Sequence, residues 1–254
     1  MKHDISWRVL FEDNHIIVVN KPSGMLTQGD ISGEESLLDL LKEYVKVKYS
    51  KPGEAFIGLV HRLDRPVSGL LVFARTSKAA SRLHAEITSG RMDKFYIALT
   101  GGRTGRGPGW HSLENHLRRD RDITVICGRN DRDAQRALLY YTELDTPGKN
   151  GLLLIKLETG RKHQIRAQLS AAGHAVLGDR KYGSFTGMGN GICLHSVYLA
   201  FTHPVKKELM EFYSPPPDEF IQRAGLSEAG MKALVMEKIS CFRDQIFLSK
   251  TDPL

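Results

Sequence analysis

The stretch ITVICGRNDRDAQRALLYYTELDTPGKNGLLLIKL, residues 123–157, holds three runs of strand character in succession: Ile123 to Cys127, Ala137 to Leu144 and Leu152 to Leu157. They are rich in β-branched, aromatic and leucine residues and separated by turn chemistry. A regular β-α-β alternation is therefore excluded here. Working outward, Ile16 to Val19 reads as a buried strand ended by Lys21-Pro22-Ser23-Gly24, and Phe56 to Val60 and Gly69 to Phe73 read as strands flanking a charged loop. Phe95 to Leu99 and Ile192 to Phe201 complete the strand set. Helical spacing predicts helices over Ser36 to Val47, from an N-cap at Ser77 to Gly90, over Lys162 to Ala172, and over residues 228–247. Many strands with interspersed helices predict an α+β fold with a mixed, mainly antiparallel sheet.

With 254 residues, 41% hydrophobic and 26% charged, the chain can bury a core, and disorder and low-complexity architectures are excluded. No apolar run approaches the ~18 residues of a membrane helix, and Met1 to Arg8 is mixed and charged, without a signal-peptide core. Three scattered cysteines, Cys127, Cys193 and Cys241, make no C-x-x-C pair. A reduced, cytoplasmic protein without a membrane association is expected.

The net charge of +7 is unevenly placed. Residues 61–106 sum to +6, 156–183 to +4 and 184–207 to +2, while residues 1–60 sum to −2 and 208–254 to −3. Basic blocks of this kind suit a polyanion such as nucleic acid, or form a solvated surface without a ligand.

Two polar clusters stand out. In His61-Arg62-Leu63-Asp64-Arg65-Pro66-Val67-Ser68-Gly69 a carboxylate lies between two arginines, beside apolar strands. Nearby cations favour an ionised carboxylate, which suits a nucleophile or an electrostatic stabiliser; the bland reading is an ion-paired loop that fixes a turn. In Glu158-Thr159-Gly160-Arg161-Lys162-His163-Gln164-Ile165-Arg166 a basic segment opens a helix, where N–H groups and the dipole favour an anion. Arg166 follows the core residue Ile165 and belongs near the buried edge. Tyr96, mid-strand between Phe95 and Ile97, shares a face with Lys94 and can stack on a base or pack at a sheet surface. The histidines show no metal-ligand spacing.

In this order the clusters resemble the pseudouridine synthase family of the ribosomal large subunit synthase A type. Asn20 to Gly24 is similar to N-K-P-x-G, His61 to Gly69 to H-R-L-D-R-x-[TS]-S-G, and Lys94 to Ala98 to K-x-Y-x-A. Thr159 to Leu169 resembles T-G-R-x-H-Q-I-R-x-H-L, Gly173 to Gly183 resembles G-x-P-I-x-G-D-x-x-Y-G, and Leu194 to Pro204 resembles the closing L-H-A…F-x-H-P. Val67, Arg75, Gln168 and Ala175-Val176 depart from the family pattern at positions that bear on packing or RNA contacts.

The resemblance implies a central mixed sheet flanked by helices and loops, with a basic cleft across it. It implies isomerisation of uridine to pseudouridine in ribosomal or transfer RNA, without metal or cofactor and with no obligate protein partner. Asp64 is then the catalytic carboxylate, Tyr96 stacks on the flipped uracil, and Arg166 pairs with Asp64. Arg62 and Arg65 hold the loop, the phosphates or the gap left by the base. His61, Lys94, Arg161, Lys162, His163 and Gln164 are expected at the RNA. The organisation expected is a catalytic domain over residues 1–223 and a helical extension over 224–254, with no room for an N-terminal S4-type module. Two other readings stand beside this one: an inactive RNA-binding protein of the same fold, and a hydrolase pairing Asp64 with Glu158 or Asp179.

Overall fold

A computed structural model describes Ile5, residues 8–184 and residues 191–251, the segment after residue 245 by its backbone alone. The rest of Met1 to Arg8, where the sequence shows no signal core, lies outside the described residues. The chain divides into two compact units, Met1–Tyr96 with Thr186–Ser214 and Ile97–Phe185 with Pro215–Leu254.

In the first unit β1 (Val9–Glu12), β2 (Ile16–Lys21), β4 (Ser68–Ala74) and β10 (Leu194–Thr202) lie in that order, followed by the start of β5 (Asp93–Thr100). β3 (Gly58–Leu59) and β11 (Leu209–Tyr213) add to β4 and β10. β4 pairs antiparallel with β2 and parallel with β10, which makes the sheet mixed. Every residue of β4 is buried, so both of its faces are covered. On one face Ile16, Val18, Leu70, Val72, Leu199 and Phe201 form a core under α2 (Ser77–Thr88), which contributes Ala79 and Leu83. α2 is capped by Thr76, one residue before the expected Ser77; its hydroxyl accepts from the Ala79 N–H at 3.1 Å. α1 (Leu37–Lys48) starts on a capping box between Ser36 and Asp39.

In the second unit the end of β5, then β9 (Gly151–Leu157), β8 (Gln135–Leu144), β6 (His111–Asp120) and β7 (Ile123–Cys127) lie side by side. The β9-β8-β6-β7 ladders are antiparallel. The three apolar runs of residues 123–157 are thus β7, β8 and β9. α3 (Gln164–Ala171) begins two residues later than expected, after His163 in a left-handed conformation (φ 54°). α4 (Asp218–Ala224) and α5 (Glu228–Thr251) complete the unit. Met231, Val235, Ile239 and Phe242 of α5 are buried, a helical stripe the spacing anticipated, and Phe242 packs 4.5 Å from the Trp110 ring and 5.7 Å from that of Tyr140. The fold is α+β with a mixed, mainly antiparallel sheet, as the sequence indicates.

Candidate active site

The loop carrying Asp64 leads into β4 and is clasped by the segment after β2. Lys21, with no exposed surface, donates from Nζ to the carbonyls of Pro22 at 2.9 Å, Met25 at 2.8 Å and Arg65 at 3.2 Å. Ser23 donates to the Pro66 carbonyl at 2.8 Å, the Gly24 N–H to that of Arg65 at 2.8 Å, and Thr27 Oγ1 to that of Leu63 at 2.7 Å. The N-K-P-S-G stretch thus fixes the backbone after Asp64, and Thr27 the backbone before it. Within the loop the Val67 N–H donates to the Asp64 carbonyl.

The far end of the loop is tied to β10. The Ser68 hydroxyl lies 2.8 Å from His195 Nδ1, and His195 Nε2 lies 3.1 Å from the Ser214 carbonyl, which can only accept. The imidazole therefore carries its proton on Nε2 and accepts from Ser68. Burial pushes the His195 pKa down to about 4, consistent with this neutral form. Gly69 faces Ser196 across the ladder with φ 116°, and a Cβ there would sit 2.4 Å from the Ser196 carbonyl oxygen. Only glycine allows that approach.

Asp64 is half-buried, and its charge acts on two buried groups. Burial lowers the Lys21 pKa to about 7, and Asp64 partly restores it. Burial raises the Tyr96 phenol; the Ser196 hydroxyl counters this and Asp64 adds to it. Carboxylate, ammonium and phenol thus share one environment. Arg62 and Arg65 flank Asp64 in sequence but both are exposed. Arg65 donates to the Gly24 carbonyl and forms a two-pronged pair with Glu34, at 2.9 and 2.7 Å. The Lys21 charge and that of Asp64 act on one another, which sequence adjacency missed; the available signal was a lysine ending an apolar strand before proline.

His61 and Lys94, expected at the RNA, are turned into the fold. The Val72 N–H donates to His61 Nε2 at 3.1 Å, and burial, then the Lys94 charge, lower the His61 pKa to about 3. Lys94 is 7% exposed. Gln164 is 3% exposed, its Oε1 accepting from Thr159 Oγ1 and the Arg161 N–H and its Nε2 donating to the Leu138 carbonyl. Its amide closes the turn before α3. Arg161 and Lys162 are exposed, with Arg161 Nε donating to the Arg136 carbonyl.

Arg166 is 4% exposed. Its Nε and Nη2 donate to Asp179 Oδ2 and Oδ1 at 2.6 and 2.8 Å, and its guanidinium lies 5.0 Å from the Tyr182 ring centre. Within its unit Arg166 pairs with Asp179. Lys156 engages Glu158 at 2.8 Å. Both carboxylates of the hydrolase reading are thereby engaged by cations. Among the described residues no three His, Cys, Asp or Glu side chains assemble into a metal ligand set.

Residues 15–171 match the family model described as RNA pseudouridylate synthase. The chain belongs to the RNA pseudouridylate synthase family. It is 32% identical over 237 residues to ribosomal large subunit pseudouridine synthase D of Zymomonas mobilis, covering 85% of this chain and 71% of that one. An uncharacterized RNA pseudouridine synthase of Bacillus subtilis is 33% identical over 214 residues, covering 82% of this chain and 68% of that one. The fold is shared with the human RNA pseudouridylate synthase domain containing 4, at a TM-score of 0.70 and 23% identity, over 88% of this chain and 95% of that one. As a member of this family the protein is an RNA isomerase.

Proposed function

We propose that the protein converts uridine to pseudouridine in large-subunit ribosomal RNA, with Asp64 as the catalytic carboxylate. The observation that carries the assignment is the clasped loop that holds Asp64 in the shared field of Lys21 and Tyr96. In the reaction the bond from C1′ to N1 breaks, the uracil turns, and C5 bonds to C1′. The C5 proton leaves and N1 gains one, so atoms balance without water or redox change. A carboxylate held near C1′ can attack it or take a ribose proton as the base departs. Burial keeps Tyr96 a phenol at neutral pH, which favours stacking on the uracil over service as a base.

Exposure divides the remaining residues. Arg62, Arg161 and Lys162 are placed to meet phosphates, while His61, Lys94 and Gln164 hold the elements that carry the reacting groups. Arg65 holds the loop through Gly24 and Glu34. The ribosomal substrate is supported by the names of the relatives from Zymomonas mobilis and Buchnera aphidicola. Extrusion of the target base costs a few kcal/mol, which favours loops and bulges. A cytoplasmic site of action fits this reading, and among the described residues no helix is long and apolar enough to cross a membrane.

The test is release of tritium from RNA labelled at uridine C5, in the presence of EDTA. Wild type is expected to release it from large-subunit ribosomal RNA in preference to transfer RNA, and Asp64→Ala to release none. Undiminished release by Asp64→Ala would remove Asp64 from the chemistry. Binding of both RNAs without release from either would favour the inactive RNA-binding reading.

A further inference from the structure

Asp179 grips one edge of the Arg166 guanidinium through two parallel hydrogen bonds. The Tyr182 ring, with its centre 5.0 Å from the same guanidinium, gives it a platform of a second kind. Tyr182 is itself fixed at both ends. Its N–H donates to the Asp179 carbonyl at 3.0 Å, and its carbonyl accepts from Ser170 Oγ of α3 at 2.7 Å. At the ring's far end Oη accepts from the Thr124 N–H of β7 at 2.8 Å and lies 2.9 Å from His163 Nδ1. Accepting from Thr124, the phenol can donate its own proton to Nδ1.

His163 precedes α3 where a helix ordinarily has a capping side chain, yet it makes no cap hydrogen bond. Its left-handed backbone instead sets its ring edge-on to Tyr182, with centres 5.7 Å apart at 89°. A non-glycine residue held in that conformation is strained, and starting the helix does not require it. The strain places the imidazole on the hydroxyl that anchors the platform under Arg166.

We propose that Tyr182 and His163 are positioning residues for Arg166, with His163 serving the interior of the fold rather than the RNA. The inference rests on the proposed isomerisation and on the role the family resemblance implies for Arg166, beside Asp64 in the reaction. Tyr182→Phe keeps the platform and removes its anchor; His163→Ala removes the anchor's partner from a half-exposed site where folding is least at risk.

Single-turnover pseudouridine formation and filter-binding affinity would be measured on transcribed large-subunit ribosomal RNA, for each variant alone and with Arg166→Lys. Thermal unfolding confirms that each is folded. Each single variant is expected to lose roughly tenfold or more in rate, as misplacement of a reacting group does. Affinity should stay within about twofold, and almost no further rate should be lost in the Arg166→Lys background. Weakened affinity with an intact saturating rate would make His163 an RNA contact and overturn the proposal. Rate losses that multiply with Arg166→Lys, or no loss at all, would also overturn it while leaving Arg166 in place. A wild-type rate in Arg166→Lys itself would overturn the parent reading and this one together.

Discussion

Lys21 presents three N–H donors to three carbonyls, which a neutral amine, with two donors, could not satisfy. Its pKa, brought to about 7 by burial against the pull of Asp64, puts loss of that proton within reach of ordinary conditions. As pH rises through this value one carbonyl loses its donor and Asp64 loses a positive neighbour. The single-turnover rate is therefore expected to fall on the alkaline side of neutrality. Lys21→Met imitates the uncharged state, so it should run near the wild type's alkaline rate from about pH 6 to about pH 9, without that limb. A limb of unchanged position in Lys21→Met would assign it to another group. The effect on stability has the opposite sign. The folded pKa lies below the unfolded value of about 10.4, so the unfolded chain binds more protons between roughly pH 7 and 10. The cost of burying the ammonium is full below that window and relieved across it. Gly69 gives a sharper expectation. With φ 116° and the Ser196 carbonyl oxygen only 2.4 Å from where an alanine Cβ would fall, Gly69→Ala should lose about 3 kcal/mol or more in urea unfolding. Gly53→Ala, with open space around it, should stay within about 0.5 kcal/mol. Equal midpoints for the two would show that β4 and β10 do not need the close approach.

Among elements, the last helix lies beyond every motif quoted above, yet its packing is plain. Phe242 is 5% exposed between Trp110 of the loop before β6 and Tyr140 of β8. The expected boundary after residue 223 falls inside the last turn of α4, and residues 215–254 group with the second unit. Phe242→Ala should therefore cost about 3–5 kcal/mol in urea unfolding, as for a core aromatic. A loss below about 1 kcal/mol would mark α5 as an appendage. Elements buried on both faces, such as β4 and β9, were legible because their apolar runs are continuous. β6, HSLENHLRRD, went unread because only Leu117 is buried; it is a strand because β7 and β8 pair with it on either side. Site residues were legible where several motif positions fell together, as at Asp64, Tyr96 and Arg166. Lys21 and Tyr182 were not assigned roles, and Asp179 only that of a hydrolase carboxylate, because their partners are backbone carbonyls or lie 13 to 58 residues away in sequence.

For the molecule as a whole, net charge overstates what RNA can engage. Within the block of residues 61–106, Arg75 is buried against Glu12, Arg65 pairs with Glu34, Arg103 with Asp145 and Arg91 with Glu86, while Lys94 is buried. Arg62, Lys78 and Arg106 remain exposed and, among the described residues, without an ion pair; Arg161, Arg180 and Lys181 are exposed in the second block. Counterion release scales with the phosphates actually neutralised, at a slope of about −0.7 per contact for single strands. If about four to six of these cations meet phosphates, log affinity for an unpaired RNA loop should fall with log salt at a slope of about −3 to −4. Filter binding across about 50 to 300 mM KCl measures it. Arg62→Gln should lower the magnitude of the slope by roughly 0.7, whereas Arg65→Gln, whose guanidinium is already paired with Glu34, should leave it nearly unchanged. A slope steeper than about −7 would mean that the internally paired arginines open to meet RNA, and Arg65→Gln would then reduce it as much as Arg62→Gln.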